Sequence, residues 1–141
     1  MKKIFFMILL SAISFHVNSQ TIFGKWNSTN EKTGEIDSVI EVYEKNGKAF
    51  AKVIEIKDPK RQGLVCDLCE GANKNKPILG LNILDGLKKD GDEWSGGTIL
   101  DPRNGKVYKC YITLESPNKL KLRGYIGFSL FGKTAYWERA K

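Results

Sequence analysis

Turn-forming residues divide the chain after residue 20 into short apolar segments, spaced at about ten residues. The clearest pair of segments, "SVIEVYE" and "KAFAKVIEI", is joined by Asn46-Gly47. This dipeptide tolerates the positive φ angles that a tight hairpin turn requires. Such regular spacing is typical of antiparallel sandwiches and barrels. The sequence therefore predicts an all-β fold built from successive hairpins.

Six further segments extend the pattern to about eight strands in all. They read "FGKWNS", "ILGLNILDGL", "EWSGGTIL", "KVYKCYITLE", "KLKLRGYIG" and "KTAYWERA". A helix is arguable only in "LNILDGLKKDGDEW", where Gly86 and Gly91 count against it. Without helices to cover it, a sheet must close or fold on itself to bury its apolar face. We expect a single up-and-down antiparallel β-barrel, of a size that holds side chains or one small ligand.

Alternation along two of these segments assigns their inner face. The residues expected to point inward on the later segment are Leu120, Leu122, Gly124 and Ile126. Those expected inward on the earlier one are Tyr108, Cys110, Ile112 and Leu114. Cys110 is then a buried thiol, which is not assumed to be reactive. The pair Gly96-Gly97, inside another strand, predicts a bulge where the barrel bends.

The N-terminus has the pattern of a secretory signal peptide. Lys2 and Lys3 precede an apolar run from Ile4 to Phe15, which falls short of the ~20 residues that span a bilayer. We expect cleavage after Ser19, so that residues 1–19 form the signal and residues 20–141 form one domain. The protein is then periplasmic or secreted, and not integral to a membrane.

Removal of the signal leaves the mature chain without histidine, because His16 is the only one. Catalysis by an imidazole base and His-rich metal sites are therefore excluded. Two of the 23 basic residues leave with the signal, so 21 basic and 16 acidic residues remain. No constellation of nucleophile and base is evident, and we expect neither enzymatic activity nor a cofactor nor a metal site. An exported chain without a binding module is a poor nucleic-acid partner. Contact with an envelope protein or an anionic membrane surface remains compatible with its charge.

The Cys66 and Cys69 pair admits three interpretations. A redox dithiol needs a helix N-terminus to lower one thiol pKa, whereas "CEGANKNKP" offers no helical face before Pro77. A zinc site needs four ligands, which only a dimer pooling two such pairs would supply. An oxidising compartment favours a disulfide. We therefore expect a bridge that staples the tip of a long loop from Lys57 to Pro77.

Several motifs resemble known families. "GKW" at Gly24–Trp26 resembles the Gly-x-Trp opening of lipocalin and calycin barrels, and "YWER" supplies the Arg139 that packs across that Trp in such barrels. "CDLC", "KPILGLNIL", "W-GG-ILDP-NGK-Y" and "L-L-RGYIG-SLFGKT-YW-R" together resemble DUF2147, a family of small exported bacterial proteins. The resemblance implies a calycin-like barrel and export, but no established activity. Trp26 and Arg139 are then expected to plug a barrel end by cation–π stacking.

The leading functional hypothesis is non-enzymatic binding of a small amphipathic or hydrophobic molecule in the barrel mouth, with the Lys57–Pro77 loop as a lid. The residues expected to line the interior are Tyr108, Leu120, Leu122 and Trp137. One alternative is an envelope protein-interaction or structural module with a solid barrel. Another is a thiol redox protein that uses Cys66 and Cys69.

Overall fold

The structure is a computed structural model, which describes residues 21–141. The predicted signal peptide, residues 1–19, and its cleavage after Ser19 lie outside the described residues. Within residues 21–141 no helix is both long enough and apolar enough to cross a membrane. The strands are β1 (Gly24–Thr29), β2 (Ile36–Lys45), β3 (Lys48–Ile56), β4 (Asn82–Asp90), β5 (Glu93–Asp101), β6 (Lys106–Ser116), β7 (Lys119–Tyr125) and β8 (Gly132–Arg139).

The strands form a closed antiparallel barrel in sequence order. Each strand pairs with the next, and β8 returns to β1 through Trp26↔Arg139 and Asn27↔Glu138. The predicted eight-stranded all-β barrel is therefore confirmed. The segment in which a helix was arguable forms β4, a turn and β5 instead.

Two glycine-containing positions show how the sequence shapes the barrel. Asn46 and Gly47 have φ values of 53° and 75°, as expected for a primed hairpin turn between β2 and β3. The predicted bulge lies in β5, where the pairing with β6 shifts register between Trp94 and Gly97. A Cβ atom at Gly97 would collide with the backbone of Asp85. Gly97 therefore lets β4 and β5 approach closely at the bend.

The barrel is packed solid at the end where the β2–β3, β4–β5 and β6–β7 turns meet, which we call the closed end. Its largest fully buried side chains are Trp26, Leu84, Leu87, Ile112 and Leu120. The residues predicted to point inward lie in the packed core or at the cavity wall. Ile126 follows the end of β7 at Tyr125, and it lines the cavity mouth while remaining 66% exposed.

Candidate ligand-binding site

A cavity of about 810 Å³ occupies the other half of the barrel, which we call the open end. The β1–β2, β3–β4, β5–β6 and β7–β8 connections surround its mouth. Its inner wall is mainly apolar, and the residues of this wall include Ile40, Val53, Ile83, Ile99, Leu122 and Trp137. The volume lies within the range of small-molecule pockets, roughly 300–1,000 Å³. A volume compatible with a small-molecule ligand therefore lies at the open end.

Three of the four residues expected to line the interior do so. Tyr108, Leu122 and Trp137 all contribute to the cavity wall. The Tyr108 hydroxyl accepts a hydrogen bond from Asn104 Nδ2 at 3.0 Å, in the β5–β6 turn at the mouth. Leu120 is fully buried opposite Trp137, and it belongs to the packed core instead of the cavity wall. The floor of the cavity thus lies between the levels of Leu122 and Leu120 on β7.

In the described part of the chain, three ion pairs surround the mouth. Arg61 Nη1 lies 3.6 Å from Asp37 Oδ2, and Lys133 Nζ lies 2.7 Å from Glu31 Oε2. The third pair joins Arg103 Nε to Asp101 Oδ1 at 3.3 Å. Each cation at the rim therefore has a carboxylate neighbour. Sequence reasoning missed this rim, because its members come from three connections and from the ends of β2, β5 and β8, and share no motif.

The β3–β4 connection is ordered along its length despite containing little regular structure. It contains two short 3-10 turns, Pro59–Arg61 and Gly71–Asn73. Val65 forms a bridge with Pro77, and Cys66 N–H donates to the Lys76 carbonyl at 2.8 Å. The connection therefore folds back on itself as a small hairpin-like excursion.

Cys66 and Cys69 form a disulfide within this excursion, with their Cα atoms 5.3 Å apart. The predicted disulfide is confirmed. Both half-cystines are buried in the main hydrophobic cluster. The exposed side chains of this stretch are its neighbours Leu64, Val65 and Leu68. The bridge therefore anchors the excursion to the barrel.

The excursion packs against the β5–β6 turn. Cys66 Sγ lies 3.8 Å from the Pro102 carbonyl oxygen, and a Cβ atom at Gly105 would collide with the Leu68 carbonyl. Gly105 also has a φ of 72°, so that glycine suits this turn on both grounds. Arg61 and Ile78 of the connection reach the cavity. The connection thus forms part of the cavity rim, and its packing supports the β5–β6 turn.

Arg139 and Trp26 meet at the closed end. The guanidinium carbon of Arg139 lies 4.2 Å from the centre of the Trp26 ring, which is fully buried. Trp26 Nε1 donates to the Ile22 carbonyl at 2.9 Å. Arg139 donates to three further backbone carbonyls, those of Thr21, Phe23 and Pro117, at 2.8–3.1 Å. Neither side chain lines the cavity.

Cys110 is a buried thiol in β6. Burial raises its pKa from 9.0 to about 12, because the thiolate would lose its hydration. The thiol is therefore protonated over the whole physiological pH range. In residues 21–141, moreover, no three His, Cys, Asp or Glu residues cluster in a way that could hold a metal ion.

A closed eight-stranded antiparallel barrel with a cavity at one end and a Trp–Arg plug at the other is a lipocalin-like fold. The structural comparison agrees: protein HP1028 from Helicobacter pylori, described as belonging to the lipocalin family, superposes with a TM-score of 0.74 at 22% identity. The match covers 86% of this chain and 84% of that one. At this identity the likeness concerns the fold alone.

The sequence comparison identifies the family more closely. Residues 24–139 match the profile of DUF2147, described as an uncharacterized protein conserved in bacteria. The chain belongs to this family, as its motifs predicted. No curated protein matches it significantly.

Proposed function

We propose that this protein is a non-enzymatic carrier or scavenger, exported to the periplasm or beyond the cell, that binds a small amphipathic molecule in its barrel. The observation that carries the proposal is the cavity of about 810 Å³ with an apolar wall and a charged mouth. The lipocalin-like fold of the matched Helicobacter pylori protein supports it as an analogy of architecture.

The apolar wall supplies the driving force for binding. Burial of a ligand's hydrocarbon surface contributes about 25 cal/mol for each Å² removed from water. Ile40, Val53, Ile83 and Ile99 offer such a surface deep in the barrel. A ligand with an alkyl chain or a ring system at one end therefore fits the interior.

The charged rim selects the other end of the ligand. The rim pairs Arg61–Asp37, Lys133–Glu31 and Arg103–Asp101 place donors and acceptors side by side around the mouth. Because each cation there already has an anionic neighbour, a strongly charged head group gains little net attraction. This balance favours a neutral or zwitterionic head group that hydrogen-bonds with both partners.

Two features weigh against the alternatives. A structural module with a solid barrel does not need an apolar cavity of this size. A redox protein needs an accessible sulfur, whereas Cys66 and Cys69 are both buried. If the Cys66–Cys69 disulfide proved easier to reduce than an ordinary structural bridge, the thiol alternative would regain support.

Fluorescent probes test the proposal on the purified protein. N-phenylnaphthylamine and a dansyl-labelled fatty acid both brighten on entering an apolar cavity, so that titration gives a Kd. The blocking variant is Ala135→Trp, which places an indole on the inward face of β8, beside Leu122. The matched control is Lys121→Trp, which places the same ring on the outer face of β7.

We expect the wild type and Lys121→Trp to bind at least one probe saturably. The Ala135→Trp variant should bind at least about tenfold more weakly, since a lost apolar contact of 1.4 kcal/mol already gives that factor. Circular dichroism and thermal unfolding establish that both variants fold. Equal affinity of the two variants would contradict the proposal. So would the absence of saturable probe binding together with no bound molecule in native mass spectra of protein purified from its source.

A further inference from the structure

The outer face of β6 and β7 is predominantly basic. Its outward charged side chains are Lys109, Lys119, Lys121 and Arg123 together with one carboxylate, Glu115, and Glu138 on β8 lies opposite Lys119. Near the open end, the outward side chains include Lys109 on β6 and Arg123 and Tyr125 on β7. Tyr125 lies beside Tyr111 on the same surface, with ring centres 6.4 Å apart. Within residues 21–141, no carboxylate forms a salt bridge with Lys109 or Arg123.

The β7–β8 connection continues this surface with exposed apolar side chains. Phe128 is 75% exposed, Leu130 is 85% exposed and Phe131 is 72% exposed, and Ile126 adjoins them. Contiguous exposed apolar side chains on a small protein mark an interaction site. We call these four residues the apolar tip. It projects from the open end, and Ile126 and Phe131 also reach the cavity.

Specific hydrogen bonds hold the apolar tip in its exposed position. Arg123 Nε and Nη2 donate to the Ser129 carbonyl at 2.9 and 2.7 Å. Its Nη1 donates to Thr134 Oγ1 at 2.8 Å. Phe131 N–H donates to the Phe128 carbonyl at 3.0 Å, which closes the turn. The connection is therefore built to display Phe128 and Leu130 instead of burying them.

We propose that the apolar tip inserts into the surface of a membrane containing anionic lipids, with the basic outer face of β6 and β7 against the head groups. The layered order of the surface supports a lipid partner. Apolar side chains stand outermost, and Tyr and basic side chains follow behind them, as in proteins that bind at the membrane interface. Lys and Arg beside the tip complement a negative surface potential.

Docking in this orientation brings the cavity mouth to the membrane, because Ile126 and Phe131 belong both to the tip and to the cavity wall. An amphipathic ligand then passes between bilayer and barrel without crossing open water. This last consequence rests on the proposed function, whereas the docking itself does not.

Vesicle sedimentation tests the docking. The purified protein is mixed with vesicles of phosphatidylglycerol and phosphatidylethanolamine, and in parallel with vesicles of phosphatidylcholine. The tip variant combines Phe128→Ser with Leu130→Ser, neither of which lines the cavity. The matched control combines Ile36→Ser at the start of β2 with Leu79→Ser in the β3–β4 connection, two exposed apolar residues outside the tip.

We expect the wild type and the control to sediment with the anionic vesicles, and the tip variant to partition at least about tenfold less. Binding should weaken at ~1 M salt, where the Debye length falls to about 3 Å. A Phe128→Trp variant should show a blue-shifted emission on anionic vesicles, which reports insertion. The tip variant should bind the fluorescent probes in solution as the wild type does, so that failure of docking and failure of ligand binding remain distinguishable.

Three outcomes would overturn the inference. The first is that the wild type sediments with neither kind of vesicle. The second is that the tip variant and the control partition alike. The third is that the wild type forms a dimer that the tip variant abolishes, which would assign the tip to a second copy of the chain.

Discussion

The two ends of the barrel use the same eight strands for different purposes. At the closed end, Trp26 fills the interior and Arg139 lies across its ring. At the open end, the interior widens into a cavity whose mouth is ringed by ion pairs. Stability is therefore concentrated where the side chains interlock. The surfaces of the open end remain free to contact a partner.

The most severe test of this difference between the two ends is the removal of the Trp26 side chain. We expect Trp26→Ala to lower the free energy of unfolding by about 3–5 kcal/mol, because a fully buried indole leaves a void at the barrel axis. Urea unfolding measures the loss. Trp137→Ala, at the cavity wall, should cost less, since that ring already borders unfilled space. An equal or larger loss for Trp137→Ala would mean that the two ends are equally packed.

Removal of the disulfide tests how strongly this bridge attaches the excursion to the open end. Replacing both Cys66 and Cys69 with Ala should lower the free energy of unfolding by about 2 kcal/mol, the chain-entropy contribution of so short a loop. Urea unfolding of the variant, and of the wild type with and without reductant, checks this. If the wild type were unaffected by complete reduction, the bridge would not stabilise the fold.

The pH dependence of the free energy of unfolding tests whether the Cys110 thiol is buried. Its pKa is about 12 in the folded protein and 9.0 when exposed. Between these values the unfolded chain loses the proton while the folded chain keeps it. The free energy of unfolding should therefore fall as pH rises above about 9, by up to ~1.4 kcal/mol per pH unit.

A Cys110→Ala variant isolates this contribution, because every other titratable group is present in both proteins. Urea unfolding at several alkaline pH values should show a steeper decline for the wild type than for the variant. Parallel declines would show that the thiol ionises without leaving the core.

The smallest effect is expected at the mouth. Glu31→Gln removes the carboxylate 2.7 Å from Lys133 Nζ, in a pair whose side chains are both more than half exposed. Exposed pairs contribute little, so the free energy of unfolding should change by no more than about 0.5 kcal/mol. The affinity for the dansyl-labelled fatty acid should rise, because Lys133 is then free to meet its carboxylate. A large loss of stability would show that the rim is structural.

The sequence predicted the features that depend on local chemistry. Asn46-Gly47 specifies a tight turn, Gly96-Gly97 marks a bulge, and alternation through Leu120 and Leu122 identifies the inner face. The same alternation does not account for the exposure of Ile126, because β7 ends at Tyr125, where its pairing with β8 stops. Period-two patterns describe faces within a strand but do not define where it ends.

Features that depend on assembly could not be derived in this way. The cavity exists because side chains from all around the barrel leave a volume unfilled. The sequence of any single strand does not predict that volume. Leu120 and Leu122 are both apolar and both inward, yet only Leu122 reaches the cavity. The burial of the disulfide likewise follows from the packing of its excursion against Pro102 and Gly105.

The hydrogen bonds of Arg139 also determine where the ends of the domain lie. By binding the carbonyls of Thr21 and Phe23, this C-terminal side chain holds the start of the described chain beside its end. A tag or surface linker attached at Thr21 or Lys141 would therefore leave the cavity mouth and the apolar tip facing solution. New termini opened in a mouth loop and a short linker across the old ones would give a circularly permuted barrel with the plug preserved.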